Sequence, residues 1–210
     1  TDENGETPVI SLDTVERHFS QTPDYDGNPF TSYSVLAQGV GFDSLSVLDI
    51  PIYDGETAIL PLVLTPMQTG QRQTVTNEIS VGRPAAARAD TRGQNGPAMQ
   101  PRILRQVAVP ELITVHLGTP SSSASNVRVS FPDYVKNVAS SEIYPTWPKA
   151  SLTANIYAII TFALNRIYTE WYRARGYSFD ITNSTAYDQY FIQGRPIYES
   201  ISRIVDDIFN

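Results

Sequence analysis

The chain has 210 residues, 41% hydrophobic and 10% aromatic, with a formal net charge of −7 at pH 7 and no cysteine. That length and apolar content allow one large or two small hydrophobic cores, and the lack of cysteine excludes disulfides, thiolate metal sites and a cysteine nucleophile. No apolar run approaches the roughly 18 residues that span a bilayer, so no membrane span is expected.

Charge is unevenly spread. Residues 1–70 hold one basic group, Arg17, against eleven carboxylates. Such an acidic surface argues against nucleic acid as a partner. Residues 71–106 hold six arginines against two carboxylates, and residues 107–210 are nearly balanced, with eight basic and nine acidic groups. No signal-peptide pattern opens the sequence at Thr1-Asp2-Glu3-Asn4.

Residues 1–68 read as a β module. Short strands are expected at Val9–Leu12, Ser32–Ala37, Leu45–Ile50 and Ala58–Leu64, separated by turn signals such as Gly39-Val40-Gly41 and Asp54-Gly55. Strands at roughly ten-residue spacing point to a small β-sandwich. Asp2, Glu3 and Asn4 imitate part of a calcium loop, but the full spacing of such a loop is absent, and a plain turn is the simpler reading. The order Asp2–Gly5, Tyr33-Ser34-Val35, Gly39–Phe42, then Asp54–Thr57 leading into Leu60-Pro61-Leu62, resembles carboxypeptidase-regulatory-like, transthyretin-like modules. In those modules a further strand comes before the first turn.

Residues 69–106 are rich in Gly, Pro, Ala, Gln and Asn and have no sustained apolar period, apart from one strand expected at Val75–Val81. They read as a linker. The arginines at 88, 92, 102 and 105 make it a candidate site of proteolysis.

Residues 107–210 begin with strand patterns at Val107–Val109, Ile113–Leu117 and Val127–Val129. Ser130 has the character of a helix N-cap with Asp133 three residues on, and Pro132 suits the first turn. In the helix that follows, Val135, Val138 and Ala139 lie on one face and Glu142 continues the series. A carboxylate on an apolar stripe is open to two readings. It is a helix-end glutamate, exposed or paired with an arginine, or it is a partly buried acid held protonated for general acid catalysis. Pro145 and Pro148 then break the helix, and Tyr144 and Trp147 flank the break. These aromatics suit either a sugar-stacking cleft or ordinary packing. A second, long helix is expected from Pro148 to Trp171 with Arg173 and Arg175 in its last turn and Gly176 as its stop. The loop Thr182–Tyr190 offers hydroxyls and amides, and a last helix near Pro196 has Ile197, Ile201, Ile204, Val205 and Ile208 as its apolar face. His18 and His116 lie in different regions and give no metal site, and no cofactor is expected.

Tyr134–Pro148 followed by the long helix, with Tyr187-Asp188-Gln189-Tyr190-Phe191 and Gly194 further on, resembles the SpoIID/LytB domain over about residues 107–210, closest to the clostridial spore cortex-lytic enzymes. The resemblance implies an α+β fold in which a β-sandwich prodomain is joined by a linker to a mixed helical and strand SpoIID-like domain. The family pattern continues past Asn210, so the expectation is of a domain truncated at both ends. The implied activity is cleavage of peptidoglycan glycan strands in the spore cortex, as a lytic transglycosylase or a hydrolase, with Glu142 as the catalytic acid and base. Tyr144, Trp147, Ser184, Tyr187 and Gln189 are the candidate substrate contacts. Implied with it are a secreted proenzyme, an extracytoplasmic location in spore cortex or cell wall, and activation by a subtilisin-like protease, with Gln106–Val107 as the candidate processing bond.

A hydrolase usually needs two carboxylates, about 5 Å or roughly 6.5–9.5 Å apart. Asp133 is nine residues from Glu142 on the same helix, about 13–14 Å away, too far to serve. A lone glutamate therefore favours transglycosylation, in which the sugar's own hydroxyl is the nucleophile. The competing reading is a non-catalytic module that binds cell wall or spore, or a structural one.

Overall fold

Ser130 sets the start of helix α1 (Phe131–Glu142). Its hydroxyl oxygen accepts from the Asp133 amide at 3.1 Å and donates to Asp133 Oδ2 at 2.6 Å, so the expected cap forms. The computed structural model describes residues 1–22, 25–68, 75–85 and 108–210. Within them α1 is enclosed on nearly every side: Phe131, Tyr134, Val135, Val138, Ala139, Ser140 and Ser141 are all inaccessible to solvent.

Helix α2 (Lys149–Tyr168) packs on α1 through the expected stripe of Leu152, Ile156, Ile159, Ile160 and Ala163. It ends three residues before Trp171. Glu170 turns left-handed, with φ at 45°, and the chain reverses into a 3-10 turn, Arg173–Arg175. Gly176, at φ 86°, closes that turn in a conformation that glycine adopts without strain. Arg173 and Arg175 thus belong to the 3-10 turn and not to the helix end. Trp171 leaves the stripe because its ring lies between two guanidinium groups, those of Arg166 at 4.4 Å and Arg175 at 4.1 Å. Helix α3 (Glu199–Phe209) completes the layer with Ile201, Ile204 and Val205; Ile197, expected on its apolar face, lies instead on a short strand before the helix.

Four strands frame these helices. Strands β5 (Leu112–His116) and β6 (Asn126–Ser130) form a hairpin, and β7 (Ile181–Thr182) adds to β5 in parallel. The hairpin loop is fixed by His116, whose ring nitrogens meet Asn126 Oδ1 at 2.8 Å and Ser122 Oγ at 3.0 Å. Strand β8 (Ile197–Tyr198) pairs instead with β3 (Ala58–Ile59), far away in sequence.

The first part supplies one three-stranded sheet: β1 (Thr31–Ala37), antiparallel to β2 (Ser44–Ile52), which is parallel to β4 (Thr76–Ser80). The expectation of a sandwich has this single sheet to rest on among the described residues. The strand expected at Val9–Leu12 is extended but unpaired, with Val9 82% exposed. The strand expected over Ala58–Leu64 keeps only its first two residues, because Pro61 has no N–H for a ladder. Within the segment read as linker, Thr76–Ser80 is a sheet strand and Val81 is fully buried. Residues 69–74 and 86–106, with the Gln106–Val107 bond, lie outside the described residues. The architecture is α+β, and among the described residues no helix is long and apolar enough to cross a membrane.

Candidate active site

Two stretches fifty residues apart meet at the C-terminal end of α1. One is the helix itself, carrying Tyr134, Asn137, Ser141 and Glu142. The other is the segment 187–195, which runs past the helix in irregular backbone. Buried backbone of that kind must find hydrogen-bond partners, and α1 supplies them. Tyr134 Oη donates to Gln189 Oε1 at 3.0 Å. The Tyr190 amide donates to Glu142 Oε1 at 2.9 Å. Asn137 bonds Ile192 twice, accepting from its amide at 2.9 Å and donating to its carbonyl at 2.8 Å.

Glu142 is half-buried at the end of the helix. The amide that donates to its carboxyl is a partner that the apolar stripe alone did not reveal. Tyr134 lies beside it, fully buried. Burial first, then the charges of Asp188 and Glu142, push its hydroxyl well above the usual tyrosine range, so it stays a neutral donor.

The other carboxylate of the segment is sealed. Asp188 has no exposed side-chain surface. It accepts from Arg166 Nε at 2.8 Å, from Tyr172 Oη at 2.5 Å, and from the Thr182 amide and hydroxyl at 3.0 and 2.7 Å. Burial is the main cause that raises the Tyr172 hydroxyl, followed by the charge of Asp188. Asp188 therefore cannot serve as the water-activating partner of Glu142. Among the described residues no group of three or more His, Asp or Glu is arranged to hold a metal ion.

The candidate substrate contacts divide. Tyr187 is 45% exposed and is the most open of them. Ser184 is half-buried, and its carbonyl receives the amides of Tyr187 and Asp188. Gln189 is buried with both ends of its carboxamide engaged, the oxygen by Tyr134 and the nitrogen by Ile159 O, so its side chain acts as a strut between α1 and α2. Tyr144 packs on Tyr53 and Trp147, and burial raises its hydroxyl. Trp147 donates its indole N–H to Ser20 O at 3.1 Å. The same N-terminal stretch holds Thr146: Arg17 and Gln21 both donate to its carbonyl, and Ser20 bonds its hydroxyl. Residues 17–21 thus lie over the turn that contains the aromatic pair.

Two residues of the site were missed by reading the sequence. Asn137 lies about 160° around α1 from Val135 and Ala139, away from the apolar stripe, so the spacing of apolar residues gave no sign of it. Arg195 gave none. It is 1% exposed and reaches Ser141 Oγ, Val81 O and Gly82 O, joining the residue before Glu142 to the end of β4. Comparisons of the chain with family models, with curated proteins and with solved structures give no match.

Proposed function

We propose that the chain cleaves peptidoglycan glycan strands as a lytic transglycosylase of the SpoIID/LytB kind, with Glu142 as its acid and base. The observation that carries this reading is the meeting of the two stretches that bear the resemblance, Tyr134–Pro148 and Tyr187–Gly194, through the bond between Glu142 and the Tyr190 amide. The enclosure of Asp188 supports a mechanism with one carboxylate.

In the first step Glu142 gives its proton to the glycosidic oxygen as the bond from that oxygen to the muramic acid C1 breaks. In the second, the C6 hydroxyl of the same muramic acid attacks C1 and returns its proton to Glu142, leaving a 1,6-anhydro ring. No water is consumed. The Tyr190 amide holds one oxygen of the Glu142 carboxyl in place. Tyr187 is the best placed of the candidate contacts to meet a glycan, since it is open to solvent.

The wider proposal is a secreted proenzyme acting on spore cortex, with a β-sandwich prodomain and a SpoIID-like domain, processed by a subtilisin-like protease at or near Gln106–Val107. Limited proteolysis is expected to cut between Arg83 and Val107 first; first cuts within residues 131–171 would contradict it. The test of the activity is digestion of cortex peptidoglycan by the wild type and by Glu142→Gln, with products identified by mass spectrometry. Anhydro-muramic ends from the wild type alone are expected. Binding without products would favour the non-catalytic wall-binding module.

A further inference from the structure

We propose that Asn137 is a positioning residue for the reaction at Glu142: by holding Ile192 it keeps the Tyr190 amide on the glutamate carboxylate. This inference rests on the reading of Glu142 given above.

The geometry is specific. Asn137 and Glu142 are five residues apart on α1, about one and a half turns, and both reach the segment that passes the helix. The Asn137 carboxamide meets the amide and the carbonyl of Ile192 together, as a neighbouring β-strand would. Ile192 is two residues beyond Tyr190, so this double bond and the Tyr134–Gln189 bond bracket the amide that faces Glu142. Gln189 is in turn tied to α2 at Ile159. Of these supports, Asn137 alone fixes the segment's main chain from both its donor and its acceptor side, and it does so from the same rigid helix that carries the acid. The backbone here belongs to no strand or helix, so its position depends on such side-chain bonds.

An alanine at 137 leaves the Ile192 amide without its acceptor and its carbonyl with only the Arg195 amide, at 3.1 Å, and frees the segment to shift. The Tyr190 amide then loses its alignment with Glu142, and the ionised carboxylate loses a donor. Loss of a donor to the charged form moves a carboxyl titration upward. A misplaced acid loses rate, by about ten- to a hundred-fold for a shift on the order of 1 Å. A glutamine at 137 keeps an uncharged donor and acceptor on a side chain one methylene longer, so it should restore part of the effect. An asparagine with a purely structural task would lower the melting temperature without changing how Glu142 titrates.

The test uses the whole 210-residue chain. The Glu142 side-chain carboxyl is titrated by carbon-13 NMR in the wild type, Asn137→Ala and Asn137→Gln, and cleavage of glycan strands is followed across pH for the same three proteins. The expected result is an upward-shifted midpoint for Glu142 in Asn137→Ala and a smaller upward shift in Asn137→Gln. The alkaline limb of the rate profile should move the same way, with kcat reduced about ten- to a hundred-fold and KM little changed. Should Asn137→Ala fail to fold, Asn137→Gln decides. A wild-type midpoint for Glu142 in a folded variant would overturn the inference. The titration does not depend on turnover, so a wild type that releases no anhydro products would overturn the reading of the activity and leave the role of Asn137 to be judged on the NMR result.

Discussion

The sheet of β1, β2 and β4 and the helices around α1 bury their side chains on different scales. The sheet gathers Leu45, Val47, Ile50 and Val81 into a small cluster. The core around α1 includes not only the helices but also Phe30 and Tyr53 from the first part of the chain. The two regions are further joined by β3 on β8, by Tyr198 Oη donating to Pro51 O at 2.7 Å, and by Arg195 donating to Val81 O and Gly82 O. Among the described residues the sheet's cluster has four buried apolar side chains, with Ala37, Ile52, Leu60, Leu64 and Ile79 packed against them, and is much smaller than the core around α1. The smaller cluster is therefore expected to draw more of its order from the helical core than it returns.

The largest effect is expected at Asp188. Asp188→Ala leaves the Arg166 guanidinium, the Tyr172 hydroxyl and the Thr182 groups without their acceptor, and breaking a buried ion pair of this kind costs about 3–5 kcal/mol. Urea denaturation followed by near-UV circular dichroism should show that loss, and the helical core should fail first. Matched truncations sharpen the comparison. Ile156→Ala, in the core of α1 and α2, is expected to cost about 3–5 kcal/mol and to unfold the whole molecule earlier. Ile50→Ala, in the small cluster, is expected to cost nearer 2 kcal/mol and to raise hydrogen exchange in β1, β2 and β4 while leaving α1 protected. Equal loss of protection in both regions would show that the sheet does not depend on the core in one direction only. Tyr198→Phe, which removes one bond between the regions, should cost on the order of 1 kcal/mol.

pH supplies the gentlest probe. Burial is the first cause that lifts the hydroxyls of Tyr53, Tyr134 and Tyr198 above the usual range. In the unfolded chain they ionise near pH 10, roughly the unperturbed value. The folded state then holds protons that the unfolded state has released, so stability is fully present below about pH 10 and falls as pH rises beyond it. All three belong to the helical core, so alkaline unfolding monitored by tyrosine absorbance should begin there, and Tyr134→Phe should flatten the slope. Burial likewise raises the Glu56 carboxyl, against the opposing Ser200 bond and Arg17 charge. Its contribution to stability is present below the ordinary glutamate range and is lost as pH rises through the folded value, so Glu56→Gln should make the melting temperature flatter across that acidic window.

What the sequence revealed was local. The Ser130 cap, the stripes of α1, α2 and α3, and the bodies of β1 and β2 follow from spacing and turn chemistry over a few residues. What it hid was non-local. Nothing near Ala58 announces a partner at Tyr198, and nothing near Arg17 announces Thr146. Trp171 fitted the helical period but is held by two arginines instead, because a cation over a ring can outweigh a weak helix end. At the candidate site, Glu142 was legible as a carboxylate on an apolar face. Its amide donor was not, because Tyr190 is 48 residues away and its side chain has no part in the bond. Asn137 was no more legible, since it lies off the apolar stripe and its partner Ile192 is 55 residues away.

The most direct test is cleavage of purified cortex glycan strands in water enriched in oxygen-18, comparing the wild type with Glu142→Gln. The account predicts wild-type fragments that end in anhydro-muramic acid and carry no heavy oxygen, and none of them from Glu142→Gln. Equal yields from the two proteins, or wild-type fragments that all carry heavy oxygen at the new end, would contradict it.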